Sequence, residues 1–296
     1  GFDDAGEALL NLERIASLPR PAGFYDPQNP AERPPQLPQA ELSAKASEPP
    51  PGKQPDAEDE RYPLLSFANT DMAFAGDVLV AGSYHGFNID RRGEGGFPVL
   101  LSSVVCPGGQ GDVSIVGDLL IMSVEQLRGR LDCGLQGIDE DVSPERFRGL
   151  RIFDISDLAR PVQVGAVQTC RGSHTHSVVS GPGEDGKIIV YNSGISDVRD
   201  TEEMEGCYDE LPGDDRTALF RIDVIEIPVA DPSKARIVDS PAVFADPEKG
   251  ILAGLWRGGD HGDDTQETNR TDQCHDITAF PELGIAAGAC SGNGIL

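Results

Sequence analysis

Four stretches of this chain repeat one pattern of short apolar strands, and that recurrence restricts the fold more than any other feature. The first strand of each copy reads Asp71-Met72-Ala73-Phe74, Asp112-Val113-Ser114-Ile115, His176-Ser177-Val178-Val179 and Asp276-Ile277-Thr278-Ala279-Phe280. A turn and a second strand follow at Val78-Leu79-Val80-Ala81, Leu119-Leu120-Ile121-Met122, Ile188-Ile189-Val190-Tyr191 and Ile285-Ala286-Ala287. Third strands are expected at Gly86 to Asp90, Gly149 to Asp154, Phe220 to Asp223 and Gly294 to Leu296. The uninterrupted spacing from Asp71 to Asp112 is 41 residues, and polar insertions around 125–148, 196–217 and 246–273 lengthen the later ones. Units of about forty residues, each too small to bury both its faces, are stable when stacked on copies of themselves. The expected class is therefore all-β, a β-propeller of four-stranded blades over residues 64–296, with a β-sandwich as its rival. Blades starting near 71, 112, 176 and 276 amount to about three and a half, so the C-terminal end reads as an incomplete ring.

Residues 1–63 have another texture. Ala5, Ala8, Leu9, Leu12 and Ile15 fall near helical spacing and predict a short N-terminal helix over residues 5–17. From Pro19 to Pro63 the chain is rich in proline and polar residues, with Pro34-Pro35 and Pro49-Pro50-Pro51 favouring extended polyproline segments. That arm reads as a spacer, or as a strap through residues 19–63 onto a larger assembly. The start at Gly1, without an initiator Met, reads as a processed or trimmed end.

A net charge of −26 repels phosphate backbones and anionic lipid surfaces, and no run approaches the roughly 18 apolar residues of a membrane span, so neither nucleic acid nor direct membrane insertion is an expected mode of action. Six cysteines, an even count, predict three disulfides and an oxidising location: extracellular, cell surface or periplasmic.

The run Gly149-Leu150-Arg151-Ile152-Phe153-Asp154-Ile155-Ser156-Asp157-Leu158-Ala159-Arg160-Pro161-Val162-Gln163-Val164-Gly165 resembles the LVIVD-repeat family of bacterial and archaeal surface propellers. Weaker copies lie at Gly86 to Val105 and at Phe220 to Val243, which keeps Asp231-Pro232. The resemblance implies a propeller and an exported location, and little chemistry. The long insertions depart from the compact repeat.

In a blade, the loop ahead of the innermost strand and the loop joining strands two and three open on one face. Cys106 lies six residues before Asp112 and Cys170 six before His176, while Cys133 and Cys207 fall in the insertions that follow in the same units. Cys274 and Cys290 occupy the two corresponding loops of the fourth. The expected bridges are Cys106 with Cys133, Cys170 with Cys207, and Cys274 with Cys290. No Cys-x-x-Cys spacing supports thiolate metal binding.

The same topology gathers the five histidines on that face. His176, His275, His85, Asp112 and His174 are candidate ligands for a transition metal, with Zn, Mn, Fe or Cu admissible. His174 and His176 are two apart on an extended segment, which predicts imidazoles facing one ion. The competing expectation is that Asp71, Asp112 and Asp276 bond backbone amides of the next unit and the histidines are ordinary loop residues. Asp260, Asp263 and Asp264 are candidate calcium ligands, although their order is not that of an EF-hand. No Gly-x-Ser-x-Gly elbow accompanies Ser173 and His174, which argues against a hydrolase.

The expectation is a binding or scaffold module whose insertion-decorated face meets a protein, glycan or cell-envelope component. The alternatives are a metal-dependent, oxidoreductase-like enzyme, loosely similar to selenium-binding-protein propellers, and an accessory subunit of an envelope complex.

Overall fold

The structure is a computed structural model; the residues it describes are 6–25, 68–209, 217–219, 221–243, 245–246, 251–252, 273–290 and 293–295. Among them the chain is all-β. Three four-stranded antiparallel sheets follow one another, each built from strands in chain order. The first holds β1 (Asn69–Ala75), β2 (Val78–Ser83), β3 (Gly86–Arg92) and β4 (Pro98–Val105). The second holds β5 (Val113–Val116), β6 (Leu119–Val124), β7 (Gly149–Asp154) and β8 (Val162–Gln168). The third holds β9 (His176–Ser180), β10 (Lys187–Asn192), β11 (Asp223–Pro228) and β12 (Arg236–Asp239). After a two-residue ladder of β13 (Ala245–Asp246) with β14 (Ile251–Leu252), a three-stranded sheet holds β15 (Cys274–Phe280), β16 (Ile285–Cys290) and β17 (Asn293–Ile295).

The sheets stack because successive side chains on a strand point to opposite faces. On β6, Leu120, Met122 and Val124 pack against Val80, Phe87 and Ile89 of the first sheet. Its alternate residues Leu119 and Ile121, with Leu150 and Ile152, meet Ile188, Val190, Ile225 and Ile227 of the third. The second sheet is thus covered on both faces, which is why residues 119–122 of β6 read as an unbroken apolar run rather than an alternating one. Burying each such side chain contributes about 1.5–3 kcal/mol.

First strands of successive sheets lie beside one another: β1 by β5, β5 by β9, and β9 by β15. The first sheet also meets the loop ahead of β5 at a pair of glycines, Gly82 on β2 and Gly111. A Cβ on Gly82 would sit 1.8 Å from the Gly111 carbonyl oxygen, and one on Gly111, at φ +69°, 2.2 Å from the Ser83 oxygen. Only glycine fits both.

Two expectations need correction. No helix forms among residues 6–17: Leu9, Leu10, Leu12 and Ile15 are exposed, so the apolar face has nothing to pack on, and Asn11 takes a positive φ of 58°. So short a helix is marginal in water without such packing. The third strand of the third sheet begins at Asp223 rather than Phe220, because that register turns Ile225 and Ile227 into the core. Most of the proline-rich arm, residues 26–63, lies outside the described residues. No helix among the described residues is long and apolar enough to cross a membrane.

Candidate functional site

The polar chemistry collects where first strands begin. Asp71 Oδ2 accepts the Val113 N–H at 3.0 Å, and Asp112 Oδ2 accepts the His176 N–H at 2.8 Å. These equivalent aspartates lace each sheet to the next, the structural role weighed above against metal binding. Asp276 lies on the last sheet among the described residues, where its Oδ2 meets the His275 ring instead. Between the third and fourth sheets the lacing passes to hydroxyls, with Thr175 Oγ1 donating to the His275 carbonyl and Ser177 Oγ to that of Ile277.

His176 is enclosed by this arrangement. Its Nδ1 lies 2.9 Å from Ser123 Oγ, which is 2.8 Å from Ser173 Oγ. Burial pushes the Asp112 carboxyl up, but the His176 ring and its backbone N–H outweigh that and hold it below the ordinary carboxylate range.

His174 belongs to a different group. Its Nδ1 is 2.6 Å from Glu125 Oε2, and its Nε2 is 2.9 Å from the Nε2 of His275, whose Nδ1 is 2.7 Å from Asp276 Oδ2. The row Glu125–His174–His275–Asp276 spans three successive sheets. Residues 173–175 are loop and only His176 is strand, so the two histidines do not share a side as an extended segment would require. His85, between β2 and β3, packs edge-on to Phe24 with ring centroids 5.7 Å apart. Burial and the Arg128 charge lower its pKa to about 4.

The five-residue metal centre expected from sequence is therefore divided. His174 pairs with His275, His176 with Asp112, and His85 packs on Phe24. Among the described residues no three His, Cys, Asp or Glu side chains converge as metal ligands. The candidate calcium ligands Asp260, Asp263 and Asp264, and His261, lie outside the described residues.

The bonded cysteine pairs are Cys106–Cys133, Cys170–Cys207 and Cys274–Cys290. The first two join the leading loop of a sheet to the insertion after its second strand. The third differs in position from expectation: Cys274 and Cys290 are register partners at the ends of β15 and β16, not loop residues. Three closed bridges are the mark of an oxidising environment.

Buried arginines fix the insertions further. Glu203 is held between Arg146 and Arg199 Nε, the latter at 2.7 Å, and both guanidinium groups are buried with it. Arg148 donates to the Asp197 carbonyl at 2.7 Å and that of Cys170 at 3.1 Å. Burial, then the charge of Arg199, lowers its pKa to about 10, so it stays charged at neutral pH. The insertion of the second sheet is thereby tied to that of the third. The insertion of the second sheet exposes Leu127 (40%), Leu131 (49%) and Leu135 (68%).

Sequence reasoning missed Glu125 and Glu203, which no motif marks. It also missed a cavity of about 360 Å³ between residues 18–24 and the outer face of the first sheet, lined by Phe24, Leu79, Leu100, Asn88 and Asp90. Burial raises the Asp90 carboxyl there.

No family model matches the chain, and no curated protein matches it. Among solved structures, the crystal structure of a protein from Lactobacillus plantarum is similar at 10% identity and a TM-score of 0.22, covering 74% of this chain and 76% of that one. A likeness that faint carries no argument about fold or function.

Proposed function

We propose that the chain is an exported recognition module of β-propeller type, docking a protein, glycan or cell-envelope component on its insertion-bearing face. The propeller part of this reading is supported by first strands that lie side by side from sheet to sheet, and by the LVIVD-like run occupying β7 and β8 of one unit. The docking part rests on one observation. The insertion of the second sheet is pinned by Cys106–Cys133 and by the Arg146–Glu203 contact, yet it presents three large apolar side chains to solvent. Rigid loops on a packed scaffold that expose leucines suit binding, because little conformational entropy is lost when a partner covers them.

The test is binding of the intact protein to isolated cell-envelope material and to a glycan array, with a Leu131→Ser, Leu135→Ser variant beside it. Wild-type binding lost in the variant, with the melting temperature unchanged, supports the reading. Equal binding by both proteins, or by neither, overturns the assignment of this surface.

A further inference from the structure

The histidine pair at the third and fourth sheets poses a problem of proton count. An ionised carboxylate only accepts hydrogen bonds, so the ring nitrogens facing Glu125 Oε2 at 2.6 Å and Asp276 Oδ2 at 2.7 Å are the ones that carry protons. A neutral imidazole has one proton to place. Each Nε2 is then a bare lone pair, and the two lone pairs face each other at 2.9 Å. Such an approach is repulsive unless the two nitrogens share a proton or converge on one metal ion.

The separation has a further meaning. Metal–imidazole bonds of about 2.0–2.1 Å set at a right angle hold the two nitrogens about 2.9 Å apart, whereas a tetrahedral angle needs about 3.3 Å. The observed spacing, which a shared proton would also give, matches neighbouring positions on a tetragonal ion. The carboxylates behind both rings complete the usual outer arrangement of a metal-binding histidine, fixing its tautomer and raising its basicity.

We propose that His174 and His275 form a two-imidazole site for a divalent transition metal, Cu(II) foremost, with Glu125 and Asp276 as positioning residues. Copper is favoured by the tetragonal spacing and by its place at the top of the divalent affinity order. His275 is 59% exposed, so the remaining positions open to solvent or to an incoming ligand. The acidic chain draws cations toward such a site. Since His174 precedes β9 and His275 lies on β15, the ion also cross-links two sheets.

The experiment is titration of the intact protein with CuCl₂ near neutral pH, followed by calorimetry and by electron paramagnetic resonance. One equivalent should bind, with hyperfine splitting from two imidazole nitrogens. His174→Ala or His275→Ala should weaken binding at least tenfold, and Glu125→Gln or Asp276→Asn by about 10–100-fold. His85→Ala should leave binding unchanged. No uptake, or a signal with fewer than two nitrogens in the wild-type protein, overturns the proposal without recourse to any variant; the rings then share only a proton. Uptake that survives the double alanine variant overturns it equally.

Discussion

Asp112 holds His176 twice: its Oδ2 accepts the backbone N–H at 2.8 Å and lies 2.7 Å from the ring Nδ1. The His176 side chain is wholly buried, so removal of the carboxylate leaves the backbone N–H without its acceptor and the ring Nδ1 with Ser123 Oγ alone. Asp112→Ala should destabilise the protein by about 2–4 kcal/mol in urea unfolding. A double-mutant cycle with His176→Ala should return a coupling on the order of 1–3 kcal/mol. Strict additivity would show that the two residues act independently.

Glu203 offers a sharper case. The carboxylate and both its arginines are nearly inaccessible. Glu203→Gln, which leaves two buried guanidinium groups facing a neutral amide, should cost about 3–5 kcal/mol. The loss should appear in urea unfolding as a lower midpoint, with protease sensitivity rising first in residues 140–207. A loss under 1 kcal/mol would mean the insertions relax and let water in.

These two contacts mark what could and could not be read from the sequence. The β6 run and the alternation of Ile188 with Val190 announce their strands because burial on two faces leaves a plain apolar signature. Cysteine pairing was legible because loop order in a four-stranded unit restricts which loops meet. The apolar residues of 5–17 carry helical spacing but no tertiary surface to use it. The two-residue spacing of His174 and His176 does not place their rings together, because a loop, not a strand, carries the first. Glu125 and Glu203 sit among 50 acidic residues, where a lone carboxylate has no sequence mark.

Disulfide removal should follow loop length. The bridges close separations of 27, 37 and 16 residues. Each should contribute about 2–4 kcal/mol by restricting the unfolded chain, with the Cys170–Cys207 pair the largest and Cys274–Cys290 the smallest. Paired Cys→Ala variants measured by chemical denaturation check the order. A reversed order would place the effect in the folded state.

Acid should weaken the fold through His85. Its pKa falls from 6.5 to about 4, chiefly through burial and then through Arg128. The unfolded chain therefore takes up a proton near pH 6.5 that the folded ring refuses until about pH 4. Stability is lost as pH falls through that window. Because the ring is only partly buried, solvent screening limits the loss to on the order of 1 kcal/mol. Comparing wild type with His85→Gln at pH 7 and pH 4.5 isolates this ring from the carboxylates. Equal losses in both proteins would exclude it as the cause.

None of the three bridges joins one large sheet to the next; each closes a loop within its own unit. Stretched between its ends, the chain would come apart one sheet at a time, since side-chain packing, lacing hydrogen bonds and the buried Arg146–Glu203 contact, rather than disulfides, link neighbours. Each released sheet after the first, which has no bridge of its own, would extend short of its full contour, because the segment inside its bridge stays locked. Under an oxidising load the molecule behaves as a series of short tethers. Reduction would lengthen each bridged one, by up to ~3.5 Å for each residue set free.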